Sequence, residues 1–188
     1  MGDGGTWATR TRRAAQAAAA CLAIGAACMA PAAAQDGDKP KGRKLTSAGA
    51  WTLALVRLNE TSLMCAASTS DADAGAVFDY VVVNRVASAF RVAGAKVAAA
   101  ETAPDALYVL QVDARDAVAI RGRREGGVAL LPVDGDGAAK RQFIRDLAEG
   151  RTLEVRDEAG APVGRFRLDG ASKVLRAFGL CVARLPQG

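Results

Sequence analysis

Histidine is missing from all 188 residues of the chain. Its absence removes Ser-His-Asp and Cys-His catalysis, His-containing zinc sites and haem ligation through imidazole. There is no Cys-x-x-Cys pair, no Gly-x-Ser-x-Gly elbow and no glycine loop followed in register by Lys-Ser/Thr, so thiol redox, serine hydrolase and phosphate-loop chemistry lack their motifs. Beyond residue 34 no apolar run is long enough to span a membrane, and no internal repeat recurs. Core-building residues are also sparse. Hydrophobic residues make up 51% of the chain, but 43 of them are alanine, leaving about 28% for all the others. Composition therefore points away from an enzyme and towards a single domain with a modest core.

The N-terminus reads as an address. Arg10, Arg12 and Arg13 precede an uncharged stretch, 14–33, in which Leu22, Ile24 and Met29 sit among alanines, and Ala32-Ala33-Ala34 closes it with small residues. This is the pattern of a cleavable secretory signal, residues 1–34. A membrane anchor is the competing reading, but alanine inserts weakly. Cleavage lowers the net charge from +5 to +3 and removes Cys21 and Cys28, leaving only Cys65 and Cys181. An even pair in an exported chain reads as a disulfide closing a long loop. A thiol nucleophile would lack its base, and a two-thiolate metal site would lack two ligands, so neither a metal nor a cofactor is expected.

Residues 35–48, with Lys39, Lys41, Arg43 and Lys44, have no apolar period and read as a flexible basic leader. From there 49–188 reads as one disulfide-stapled β domain. Trp51, Leu53 and Leu55 share a strand face, as do Leu63, Cys65 and Ala67; 77–85 is the strongest strand, and further strands are expected at 90–97, 107–113, 118–121 and 128–133. Residues 151–157 and 163–168 pattern as a hairpin. Two short helices are expected. One covers 138–149, with Phe143 and Leu147 on one stripe and Gly150 as a left-handed stop. The other covers 171–181, with Val174, Leu175, Phe178 and Cys181 on one face. Gly170 is placed to take a positive φ at its start, and Ser172 or Asp169 to cap it. The fold class is mainly β, sandwich-like, with α+β as the alternative.

Few residues suggest binding chemistry. Arg121, Arg123 and Arg124 form the densest basic cluster of the domain, and Arg156, Arg165 and Arg167 lie on neighbouring strands. Such a surface is a weak candidate for a polyanion. Interspersed acids and a mature charge of +3 favour ordinary exposed faces, and nucleic acid is not expected. The acidic turns at 71–75 and 134–137 begin like calcium loops, but the twelfth positions are Val82 and Arg145 rather than Glu.

A wider pattern joins the two ends of the domain. Trp51 opens the first strand, Cys65-Ala66 lies on the second, Leu153-Glu154-Val155 forms a late strand, and Phe166, Leu168, Gly170, Ser172, Leu175 and Cys181 close the chain at fixed spacing. This resembles the invasion-associated locus B family of small exported proteobacterial proteins. An additional Cys often found soon after the opening Trp in that family is absent here, Leu55 standing near its place. The resemblance implies an immunoglobulin-like β-sandwich, the Cys65–Cys181 bridge, a periplasmic or cell-surface location and no catalytic residues. The leading functional expectation is a non-enzymatic exported protein acting by binding or as envelope structure. The alternatives are an inhibitor or chaperone-like module using the loop 98–105, and a hydrolase built on Asp113, Asp116 and Glu125.

Overall fold

The run of valines and aromatics from Val77 to Val83 forms an interior strand of the sheet, with strands paired on both sides. The computed structural model describes residues 41–99, 105–125, 127–133 and 137–187. In chain order they form β1 (Lys41–Ala48), β2 (Trp51–Arg57), β3 (Leu63–Asp71), β4 (Ala76–Val83), β5 (Ala87–Ala93), α1 (Ala95–Ala99), β6 (Asp105–Val112), β7 (Val118–Glu125), β8 (Val128–Pro132), α2 (Ala138–Glu149), β9 (Thr152–Arg156), β10 (Pro162–Arg167) and α3 (Ala171–Ala183). All the strands belong to one antiparallel sheet in the order β1-β2-β3-β4-β5-β8-β7-β6-β9-β10. Among the described residues the fold is thus mainly β, with one continuous ladder where a sandwich has two, and three short helices rather than two.

The sheet curls until β10 lies against β3 and β4. Side chains make this closure. Trp51 Nε1 donates to the carbonyl of Arg167 at 3.0 Å, Thr69 Oγ1 donates to the same oxygen at 3.4 Å, and the Arg165 amide donates to Asp71 Oδ2 at 2.8 Å. Inside the curl all five phenylalanines of the chain sit in one linked series of ring contacts. Phe78 meets Trp51, Phe90 and Phe166, Phe90 meets Tyr80 and Phe143, and Tyr80 meets Phe178. A few aromatics thereby tie β2, β4, β5, β10, α2 and α3 together.

Cys65 on β3 and Cys181 on α3 are bridged, with their Cα atoms 6.2 Å apart. The bridge holds α3 on the inner face of the sheet, where it packs against β1, β2 and β3. Both sulfur-bearing residues are buried.

Several local expectations are corrected. Residues 41–48 are not a leader but β1, paired along β2. Their charges belong to an edge strand with a register shift between Lys44 and Thr46, devices that discourage edge-to-edge pairing. The strongest strand stops at Val83, because Asn84 and Arg85 both take positive φ in a tight hairpin turn. The strand expected at 90–97 is β5 followed by α1. Gly150 is extended (φ −75°) rather than left-handed; a Cβ there would collide with Val112 and Asp146. Gly170 does take φ +88°, but neither Ser172 nor Asp169 caps α3 through its side chain. Asp169 instead accepts the Ala50 amide on its carbonyl at 3.0 Å and pairs with Arg167 at 3.0 Å. The signal 1–34 and the leader residues 35–40 lie outside the described residues. So do most of the loop 98–105 and the turn at 134–136.

Asp71 gives a testable electrostatic signature. Its carboxylate accepts three backbone amides, from Asp73, Ala74 and Arg165. The Arg165 bond leads in holding its pKa below the ordinary carboxylate value. A folded-state pKa below the unfolded one stabilises the fold above the unfolded value, and that contribution is lost as pH falls through the folded value. Asp71→Asn replaces one acceptor oxygen with a donor that faces another donor. It should cost about 1 kcal/mol at neutral pH and flatten the acid limb of the stability curve below about pH 4. Urea denaturation from pH 3 to 7 measures both; an unchanged acid limb removes Asp71 from the account.

Candidate binding surface

An antiparallel strand with one face on a core normally alternates apolar and polar residues. β4 does not. Phe78, Tyr80 and Val82 enter the core, yet Val81 and Val83 on the other face are also apolar. Neighbouring strands continue this outer face. Val56 stands on β2, Met64 and Ala66 on β3, and Ala89 on β5; with Val81 and Val83 they form a second apolar cluster separate from the main core. β8 extends it with Leu130 and Pro132.

The outer face is grooved. β5 presents Ala87 and Ala89 between the larger side chains of β4 on one side and β8 on the other. The result is an open trough of about 670 Å³ whose walls include Val81, Val83, Leu130 and Pro132. Val86, at the tip of the β4–β5 hairpin, is 73% exposed and lines it as well.

Charge is confined to one part of the groove. Arg91 and Arg123 are both cross-strand partners of Leu130, so they flank it from β5 and β7. Arg91 lies 3.6 Å from Asp79, its own cross-strand neighbour on β4. Burial pushes the Asp79 carboxyl above its ordinary pKa, against opposing contributions from Ser68 and Arg91. Among the described residues Arg123 makes no ion pair within 4.0 Å. Glu125, one outward place further along β7, also lines the groove.

The arginines singled out by sequence are divided by the strand that carries them. On β7 Arg121 and Arg123 are exposed and share a face, while Arg124 is half-buried on the other and lines a separate cavity with Tyr108. Arg165 stands directly opposite Glu154, and Arg156 pairs with the same Glu154 at 2.5 Å. The carboxylates are divided too. Asp113 holds the amides of Arg151 and Thr152, each at 3.0 Å, and Asp116 lies before the start of β7. Glu125 is at the other end of that strand, roughly 20 Å away at about 3.3 Å per residue. Glu125 therefore cannot form a catalytic pair with either aspartate. Among the described residues no group of three or more Cys, Asp or Glu could hold a metal ion, and no helix is long and apolar enough to cross a membrane.

The other sequence-marked residues are structural. Trp51, Phe166 and Leu168 are in the core, Leu175 packs against it from α3, Gly170 forms the corner before α3, and Ser172 is exposed on that helix. Asp79, Arg91 and the alanines of β5 were not singled out by sequence. The signal for them is the unbroken apolarity of 80–83, which leaves no polar face for solvent. The chain matches no family model, no curated protein and no solved structure.

Proposed function

We propose that this chain is an exported, non-catalytic protein of the bacterial envelope that works by binding, as its resemblance to invasion-associated locus B proteins implies. The observation that carries the reading is the apolar groove on the solvent side of β4, β5 and β8. A concave, mostly apolar groove of this volume with a few charged groups at one end has the form of a ligand-binding pocket. The buried Cys65–Cys181 bridge supports an oxidising compartment. In this reading the curled sheet is the sandwich-like shell of the family, with β10 over β3 and β4 as its second layer.

Two measurements test it. In a Gram-negative host the full sequence should yield a periplasmic product starting near Gln35, with a mass two hydrogens below the reduced value. A cytoplasmic chain with free thiols overturns export. A hydrophobic-surface dye should bind the folded protein, and Val83→Glu should abolish that binding without unfolding it. A folded wild-type chain that leaves the dye free overturns the binding surface.

A further inference from the structure

The groove differs from a flat apolar patch in shape and in where its charge lies. It is narrow: its floor is the alanine face of one strand, and its walls are the neighbouring strands, about 4.8 Å to either side. A trough of this width accepts one linear apolar chain. Its charge is displaced to one end. Ala87 and Ala89 come first along β5, and Arg91 follows at the next outward position. At the same level Arg123 lines the groove from β7, so the two arginines stand on the strands either side of Leu130.

The balance of charge at that end is also informative. Asp79 at 3.6 Å offsets part of the Arg91 charge, and Glu125 stands one outward position beyond Arg123. Formally these four charges cancel, but Arg123 makes no ion pair within 4.0 Å among the described residues, which leaves one guanidinium for a single negative charge and none for a dianion. Guanidinium groups present paired N–H donors that match the two oxygens of a carboxylate.

We propose that the groove binds one long-chain carboxylate, its acyl chain lying over Ala87 and Ala89 and its carboxylate held between Arg91 and Arg123. This rests on the reading of the outer face as a binding surface and adds the chemical class of what it takes. The tail contributes affinity through buried methylenes, and the arginines fix its direction and the sign of its head group.

The test is calorimetric titration of the purified full-length chain with hexadecanoate below its self-association concentration. Binding should be saturable at one site per chain. Octanoate should bind at least a hundred-fold more weakly, since each methylene half-buried in an open groove contributes roughly two-fold. Ala89→Trp fills the trough and should abolish binding while leaving the melting temperature within a few degrees. Arg123→Gln should weaken hexadecanoate about ten-fold and leave hexadecanol unchanged. Three results overturn the proposal: no hexadecanoate binding, binding that survives Ala89→Trp, or equal affinity for hexadecyltrimethylammonium. Sedimentation showing a wild-type dimer that Ala89→Trp dissociates also overturns it, because a second copy then occupies the face. An exported, bridged chain that binds dye but not hexadecanoate defeats the ligand assignment and leaves the binding reading in place.

Discussion

Replacing both bridged cysteines, Cys65→Ala with Cys181→Ala, should lower stability by about 4–5 kcal/mol, the chain-entropy value for a loop of this length. The bridge spans 116 residues and closes most of the domain. For a domain of this size that loss corresponds to roughly 10–15 °C in melting temperature. Differential scanning calorimetry of the two proteins measures it. The loss should be uneven, because the bridge is the cross-link that ties the C-terminal end of α3 to β3. Hydrogen exchange should show the amides of α3 losing more protection than those of β4 and β5. Cys65 is fully buried, so reductant should act on the folded protein slowly and chiefly through opening of α3. An unchanged melting temperature would mean that α3 is held by packing alone.

Trp51→Ala should have the next largest effect, about 3–5 kcal/mol by the usual range for deleting a buried aromatic. Trp51 is fully buried beside Phe78, a ring that also meets Phe90 and Phe166. Its indole also donates to the Arg167 carbonyl, one of the three side-chain bonds that close the curl. Trp51→Phe separates the two roles. It keeps a ring against Phe78 and removes only the donor, so it should cost about 1–2 kcal/mol including the reduced volume. Urea unfolding of the three proteins gives the comparison. Equal losses for the Ala and Phe variants would place all of the effect in the hydrogen bond.

These two residues also show what could be read from the chain. That Cys65 and Cys181 pair was expected on the reading of 1–34 as a signal, which leaves two of the four cysteines, and the two are bridged. That α2 and α3 are helices follows from apolar spacing, and Gly170 occupies the positive-φ corner its position suggested. The role of Trp51 did not follow. Its apolar body announces the core, but its partner is a carbonyl 116 residues away, and only the curl of the sheet brings them together. The register of β1 was likewise hidden. Lys41, Arg43 and Lys44 are what a solvated leader would carry, yet an edge strand needs only backbone pairing on one side and tolerates charge on its faces.

The candidate site shows the same division. Arg123 stood out because it is basic and clustered, but sequence grouped it with Arg124. A strand turns consecutive side chains to opposite faces, so Arg124 faces the other way and Arg91, 32 positions earlier, shares the outer face with Arg123 across β8. The apolar run 80–83 showed that both faces of this half of β4 are apolar; it did not show which neighbours would border the outer one.

The missing histidines, the cysteine count and the apolar periods depend on composition and local spacing, and the sequence alone determines them. It determined the absence of imidazole chemistry and a mainly β domain with helices at 138–149 and after Gly170. Strand order, the side-chain closure at Arg167 and the placing of Arg91 and Arg123 on either side of Leu130 were decided by tertiary structure. Antiparallel pairing sets those neighbours across gaps of tens of residues, and no local property of the chain encodes which strand lies next to which.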